Sequence, residues 1–319
     1  MKHLYSSSVF EEYTDLPGEG SPAARLKAWR LDGFELFTLF DPVQTKYLVP
    51  ETVGVHLPYA IDWHSAWEGR TYDGAESQDP RFFSLGRDRP EMERNLATVF
   101  ATAAAAHPAY GVLHAGNTDL RQVLMPRHRS DDMQIIADFA ELIDETAKRF
   151  GRRGLPVRPV FENLWWEGLK LRSPAEWRLL EQKLEIDDWG FCLDTGHLMN
   201  TCPAADDEDS AIESVLRIID RYPQDMLDRI TNMHLQLSAS GSYRRSLTPD
   251  AREPHESFDA FYRRAADRAA AIDQHRPFSL PKVREIVDAV RPDFLIHELM
   301  GRASGDRFAD LRQQRALFP

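Results

Sequence analysis

The stretch WGFCLDTGH, residues 189–197, is a short apolar run that ends in an acid and a histidine. Its apolar first half is typical of a strand that is buried on both faces, as in a parallel sheet. Asp194 and His197 follow where this strand stops. Residues three apart on a straight strand face opposite ways, so only a turn at Thr195 and Gly196 directs both side chains to one cavity.

Seven other stretches have a similar apolar or alternating pattern, at residues 4–10, 34–40, 52–59, 110–116, 158–165, 230–238 and 294–301. Helical patterns lie between them, at residues 91–106, 132–150, 173–184 and 279–290. Eight strands alternating with helices predict a (β/α)8 TIM barrel, an α/β fold whose chemistry belongs at the carboxyl ends of the strands. We expect one domain over residues 1–319, with long loops at 60–90 and 238–258 on that face.

The composition excludes several classes of partner. Lys and Arg total 39 and Asp and Glu total 51, so the net charge of −12 provides no overall attraction for nucleic acid or an anionic membrane. Cys192 and Cys202 are the only cysteines, which argues against a disulfide framework and for a reducing compartment. No signal peptide or membrane-length apolar run is recognisable. We therefore expect a cytoplasmic protein.

Polar side chains collect where the predicted strands end. Strands three to eight contribute His56, His114, Glu162, Asp194, His197, His234 and Glu298, and the segment IDQHRPFS adds Asp273 and His275. Carboxylates and imidazoles are costly to bury alone, and a divalent cation offsets the desolvation of all of them together. The sequence therefore predicts a metal centre, with hydrogen-bonded polar residues at the strand ends as the alternative.

This pattern resembles the xylose isomerase-like TIM barrel superfamily (AP endonuclease family 2), and within it the endonuclease IV branch, over residues 4–301. The resemblance implies that four residues form the divalent-metal site that isomerases and epimerases share: Glu162, Asp194, His234 and Glu298. The endonuclease IV pattern adds further ligands, which here correspond to His56, His114, His197, Asp273 and His275.

The resemblance implies two or three ions, held by His56, His114 and Glu162, by the four shared residues, and by His197, Asp273 and His275. Zn²⁺ suits such mixed ligands, with Mn²⁺ or Fe as alternatives. Hydrolysis of a phosphoester or phosphodiester by metal-activated water is the leading prediction. The alternatives are a sugar isomerase or epimerase, in which Glu162 or Glu298 shuttles a proton, an endonuclease IV-like DNA repair enzyme, and a non-catalytic binding barrel.

Departures from the family, which include the long loop after the third strand, favour a small substrate over DNA, and we expect that substrate to be phosphorylated. Asp273 follows His234 by 39 residues, whereas endonuclease IV has a short link there, and Leu-Gln-Leu-Ser at 235–238 replaces the usual Asn-Asp-Ser-Lys. We expect a walled pocket, in which Trp63, Trp67, Trp165 and Trp166 offer flat faces to a base, a corrin-like ring or a sugar. Arg244 and Arg245 are candidates to clamp a phosphate. Rim packing for the tryptophans and solvation for the arginines are the alternatives.

Three further histidines, His64, His255 and His297, are candidates that we leave out of the predicted centre. His64 and His255 lie in the long loops, where histidines are usually solvated. Alternation along the last strand sends His297 to the face opposite Glu298. The sequence does not indicate the oligomeric state.

Overall fold

Eight parallel strands close into a barrel in a computed structural model of the chain. The structure describes residues 1–10, 16–70, 79, 81–126, 131–300 and 305–319. The barrel strands are β1 (Lys2–Ser8), β2 (Gly33–Phe37), β3 (Thr52–His56), β4 (Gly111–His114), β6 (Pro159–Glu162), β8 (Gly190–Asp194), β9 (Ile230–Leu235) and β10 (Phe294–His297). The short strands β5 (Gly116–Asn117) and β7 (Glu167–Gly168) pair antiparallel outside the barrel. The spatial order around the barrel is β1-β10-β9-β8-β6-β4-β3-β2.

Helices follow the strands around the barrel. They are α1 (Pro22–Ala28), α2 (Trp63–Trp67), α3 (Arg81–Ser84), α4 (Arg89–Ala103), α5 (Leu120–Val123), α6 (Asp132–Lys148), α7 (Pro174–Lys183), α8 (Thr195–Asn200), α9 (Glu208–Ile219), α10 (Gln224–Leu227), α11 (Gly241–Ser246), α12 (Phe258–Ile272), α13 (Val283–Val290) and α14 (Arg307–Arg315). Single 3-10 turns occur at Thr45–Tyr47, Ala104–Ala106 and Gly151–Arg153.

The predicted (β/α)8 barrel is confirmed, because each of the eight predicted strands overlaps one barrel strand. The main hydrophobic core lies between the strands and the surrounding helices, and includes Phe161, Trp177, Phe191 and Ile212. A smaller apolar cluster that includes Leu4, Val160 and Cys192 packs among inward-facing strand residues. This division is usual for such barrels, whose interior is packed with side chains rather than open.

The strands end earlier than the sequence patterns predict. The predicted strand over 189–197 stops at Asp194, and α8 begins at the next residue. The predicted loops at 60–90 and 238–258 also contain helices, namely α2 and α3 in the first and α11 in the second. Residues 71–78 and 80 of the first loop, and residue 301 at the end of the last predicted strand, lie outside the described residues.

The helices show no membrane-spanning candidate. No helix formed by the described residues is both long enough and apolar enough to cross a bilayer.

Candidate metal centre

The junction of β8 and α8 explains why an acid and a histidine lie three residues apart. Asp194 is the N-cap of α8, and its Oδ1 accepts a hydrogen bond of 2.5 Å from the backbone N–H of His197. N-cap side chains bind the free N–H groups of the first helical turn in this way. One turn of helix thus holds both side chains at the carboxyl end of the barrel.

Gly196 in this turn leaves room for a neighbouring amide. A Cβ atom at this position would lie 2.1 Å from the amide atoms of Gln236. The Nε2 of Gln236 donates to Asp194 Oδ1 at 3.1 Å and to Asp273 Oδ1 at 3.0 Å. Gln236 therefore bridges two predicted ligands, although it belongs to the segment that departs from the family pattern.

Glu162, at the end of β6, stands between two groups of histidines. Its Oε2 lies 3.2 Å from His56 Nε2 and 3.3 Å from His114 Nε2. Its Oε1 lies 3.3 Å from His234 Nδ1 and 3.2 Å from His197 Nδ1. The two oxygens of one buried carboxylate thus face different imidazoles.

His234, at the end of β9, is the centre of the second group. Its Nδ1 is 3.1 Å from Glu298 Oε2 and 3.9 Å from Asp194 Oδ2. Asp194 Oδ2 is buried without a hydrogen-bond partner among the described residues. A buried carboxylate oxygen with no partner is costly, and a cation would offset that cost.

The third group joins α8 to the segment after α12. Asp273 Oδ2 lies 3.1 Å from His197 Nε2 and 3.0 Å from His275 Nε2. His275 adopts a left-handed backbone conformation with φ of 46°, which is uncommon for a residue other than glycine. Its Nδ1 lies 3.2 Å from the carbonyl oxygen of Glu298.

All nine predicted ligands therefore lie together, in the three groups that the family resemblance implies. Within each group the candidate ligand atoms lie within 4.8 Å of one another. Two atoms bound to one tetrahedral zinc ion are about 3.3 Å apart, since zinc binds nitrogen and oxygen at about 2.0 Å. The separations of 3.0 to 3.3 Å between these imidazole nitrogens and carboxylate oxygens match that spacing.

Burial and mutual repulsion shift the protonation of the centre. Burial raises the pKa of Asp194 to about 7, and the charges of Glu162 and Glu298 add to this shift against the opposite effect of His197. Burial also lowers the pKa of His114 to about 4, so its imidazole is neutral at pH 7. Asp273 acts in the opposite direction on His275 and, against the effect of burial, raises the pKa of that imidazole to about 9. Metal ions bind neutral imidazoles and ionised carboxylates, so metal binding would release protons from this centre.

Sequence reasoning missed Glu35, which lies inside the barrel on β2. Its Oε1 is 2.9 Å from His234 Nε2, and its Oε2 accepts a 2.7 Å hydrogen bond from the Tyr110 hydroxyl. Gly54 makes room for this tyrosine, since a Cβ there would lie 2.2 Å from the phenol ring. The acid within the apolar stretch FELF was the available signal, because a strand residue of this type is costly to bury unless it is paired.

A cavity of about 390 Å³ opens above the centre. Its wall includes Ser7, Tyr59, His114, Trp166 and Glu298. The Tyr59 ring stacks on His114 with 3.9 Å between centroids, and burial raises the pKa of its hydroxyl to about 12. The cavity is therefore lined by aromatic and hydroxyl groups beside the candidate ligands.

The four predicted tryptophans divide between the cavities and the core. Trp166 lines the main cavity, and both Trp165 and Trp166 line an adjoining apolar cavity of about 230 Å³. Trp63 and Trp67 are only 3% exposed and belong to the hydrophobic core, so their placement at the pocket was wrong. Helix α2 turns both rings inward, where Trp63 Nε1 donates to the carbonyl of Gly116.

The two arginines predicted to clamp a phosphate have different surroundings. Arg245 forms two hydrogen bonds with Asp206, at 3.0 and 2.8 Å, so that side chain is already paired. Arg244 lies instead beside Trp165, with its guanidinium carbon 6.0 Å from the ring centroid. Neither arginine lines the main cavity.

The excluded histidines behave differently from one another. His297 is buried against His3 and Gln314, on the face opposite Glu298, as alternation predicts. His255 is exposed. His64 is not solvated but buried, with its Nε2 2.7 Å from Asp138 Oδ2, because α2 packs it against α6.

Solved structures with the same barrel fold confirm the predicted fold. The chain is similar to endonuclease IV from Thermus thermophilus, with 13% identity over 99% of this chain and 98% of that one and a TM-score of 0.51. It is also similar to 3-keto-D-glucoside 4-epimerase from E. coli, with 15% identity over 99% and 98% of the two chains and a TM-score of 0.50.

A sugar phosphate isomerase/epimerase from Parabacteroides distasonis is a third similar structure, with 11% identity over 99% of this chain and 97% of that one and a TM-score of 0.50. No protein-family model and no curated protein sequence matches the chain. At these identities the similarity concerns the fold alone.

Proposed function

We propose that this protein is a metal-dependent enzyme that hydrolyses a small phosphoester or phosphodiester. The observation that carries the proposal is the position of Glu162, whose two oxygens face separate imidazole groups. A bridging carboxylate of this kind suits a centre of two or three divalent ions. Zn²⁺ fits the ligand types best, with Mn²⁺ and Fe as alternatives.

The nine ligands would hold the ions in three sets: His56, His114 and Glu162; Glu162, Asp194, His234 and Glu298; and His197, Asp273 and His275. When bound, such ions activate water as a nucleophile and neutralise charge that develops on a phosphoryl group. Glu162 and Glu298 are the side chains to which we assign catalytic roles. Glu298, which lines the cavity, would accept the proton that the attacking water loses, while Glu162 would keep the neighbouring imidazoles in position.

The cavity favours a small substrate over duplex DNA. Its volume of about 390 Å³ lies within the range of small-ligand sites. Tyr59, whose hydroxyl is uncharged at neutral pH, and Trp166 both line the cavity. The net charge of −12 gives no general attraction for a polyanion.

A sugar isomerase or epimerase is the second candidate. Glu162, Asp194, His234 and Glu298 form a complete four-residue set by themselves, with all ligand atoms within 4.8 Å of one another. One Mn²⁺ or Mg²⁺ on that set leaves Glu162 or Glu298 to move a proton next to a carbonyl. The similar epimerase structure has the same fold, which is compatible with this chemistry.

The deciding experiment starts from protein stripped of metal and desalted, and then loaded separately with Zn²⁺, Mn²⁺ or Fe²⁺. We expect hydrolysis of p-nitrophenyl phosphate or bis-p-nitrophenyl phosphate, and a fall of about 100-fold in kcat/KM for His114→Asn. His3→Asn is the matched control, since His3 is also buried but lies outside the centre. No hydrolysis with any metal, together with solvent deuterium exchange into a panel of sugars, would transfer the assignment to the second candidate.

A further inference from the structure

A second cavity, of about 730 Å³, contains an unusual concentration of positive charge. Its wall includes Lys170, Arg172, Arg244 and Arg245, together with Trp165. No acidic side chain is among the described residues that line it. This arrangement is unexpected in a chain whose net charge is −12.

Two of these four cations already have carboxylate partners. Lys170 Nζ lies 2.6 Å from both oxygens of Asp132, and Arg245 is paired with Asp206. Arg172 and Arg244 differ, since neither forms an ion pair within the part of the chain that the structure describes. Their guanidinium groups are therefore available to a bound anion.

Arg244 is held in place without being neutralised. It belongs to α11, whose first residue, Gly241, packs so closely that a Cβ there would lie 2.7 Å from Asp206 Oδ1 and from the Pro203 carbonyl. The side chain of Arg244 is half-buried. Burial and the nearby charge of Arg172 lower the pKa of Arg244, which means that its charged form is disfavoured where it stands. An oxyanion bound by the two guanidinium groups would offset both the burial of the Arg244 charge and its repulsion by Arg172.

The charged cavity adjoins the metal centre through the two tryptophans. Trp165 lines both the charged cavity and the apolar cavity that Asp273 and His275 border. Trp166, with its ring centroid 5.0 Å from that of Trp165, lines both the apolar cavity and the main one. The two tryptophans thus link the wall of the cavity beside the metal ligands to the wall of the cavity beside the arginines.

We propose that Arg172 and Arg244 form an oxyanion subsite, which binds an anionic group of the substrate at a distance from the reacting bond. The substrate class that fits has three parts: a phosphoester at the metal centre, a flat or apolar middle along Trp165 and Trp166, and a second phosphate or a carboxylate at the arginines. Its role as a substrate subsite rests on the proposed function, whereas its binding of an oxyanion does not. Arg245, the paired neighbour, contributes little.

The test uses calorimetry on the full-length protein after metal removal and desalting, so that neither metal ions nor chelator can hold the anion. Inorganic phosphate should bind saturably, and Arg244→Gln and Arg172→Gln should each weaken binding about tenfold. Arg245→Gln is the matched control and should change it less than about twofold. Arg244→Lys, which keeps the charge but loses the planar fork, should fall between these values.

Acetate in the same titration separates the two anion classes: competition with phosphate shows that the subsite also accepts a carboxylate, and no competition shows that it is selective for phosphate. Absence of saturable phosphate binding, or equal losses in Arg244→Gln and Arg245→Gln, would overturn the subsite. Circular dichroism of each variant excludes unfolding as the cause. Phosphate binding in a protein that hydrolyses no phosphoester would support the oxyanion site and reject the proposed function. Phosphoester hydrolysis without phosphate binding at the arginines would support the proposed function and reject the oxyanion site.

Discussion

Replacing Glu35 by Gln tests whether His234 binds a metal ion. Glu35 Oε1 lies 2.9 Å from His234 Nε2, and both side chains are at most 1% exposed. With a metal ion bound, this carboxylate would accept a hydrogen bond from the Nε2–H of His234, and the Nδ1 lone pair would be directed at the ion between Glu162 and Glu298. A carboxylate behind a ligating histidine fixes its tautomer and makes it a better ligand.

Loss of such a partner typically weakens metal binding about 10-fold to 100-fold, or by about 1.4 to 2.8 kcal/mol. Gln can still accept the hydrogen bond through its amide oxygen, so we expect a loss near the lower end of this range. The loss should affect one ion only, the ion bound by the four-residue set. The assay is competitive titration of metal-free protein against a chelator of known affinity, with bound ions counted by mass spectrometry.

Tyr110→Phe is the matched control, because it removes the hydroxyl that bonds the other oxygen of Glu35 and leaves the contact with His234 intact. We expect its metal affinity to change by less than about threefold. Unchanged metal affinity in Glu35→Gln would refute the reasoning, since a His234 that binds a metal ion should bind it more weakly without the Glu35 carboxylate. Equal losses of all ions in Glu35→Gln would instead indicate general disruption of the barrel.

Three further predictions concern stability, each measured by urea unfolding. Gly196→Ala should cost about 1 to 3 kcal/mol, because its Cβ would lie 2.1 Å from Gln236, and an unchanged midpoint would contradict this packing. Burial lowers the pKa of His3 to about 4, so below pH 6.5 the unfolded state takes up a proton that the folded state excludes. The wild type should therefore lose about 2 kcal/mol more than His3→Asn between pH 7 and pH 5, and parallel pH profiles would argue against it. Trp63 is a core residue, so Trp63→Ala should lower the free energy of unfolding by about 3 to 5 kcal/mol. Trp166 lies on the cavity wall, so Trp166→Ala should lower it clearly less. Similar losses of stability in the two variants would contradict this difference in surroundings.

The sequence contained enough information for the barrel and for the convergence of the predicted ligands at one face, whereas their division into three groups came from the family resemblance. Short apolar strands that end in His, Asp or Glu carry both signals at once, as in β8 with Asp194. The carboxyl ends of parallel barrel strands meet at one face, so residues far apart in sequence had to converge there. That the nine side chains bind metal ions remains a prediction.

Other features depended on packing that no local pattern records. Glu35 looked like an ordinary strand residue until the closed barrel brought it to His234, 199 residues away. Trp63 and His64 appeared to lie in a loop, but α2 turned both inward toward α6, where His64 pairs with Asp138. The separation of Arg244 from Arg245 likewise depended on the position of Asp206.

The most direct test of the metal centre is anomalous diffraction from crystals of metal-loaded protein, collected above and below the zinc and iron edges. We predict two or three anomalous peaks, each within about 2.0 to 2.2 Å of its ligands, with one beside His114 and Glu162, one beside His234 and Glu298, and, for a third ion, one beside His275 and Asp273. A single peak at the four-residue set, with His114 and His275 uncoordinated, would contradict the multinuclear centre, and no peak at any of these side chains would contradict the metal site altogether.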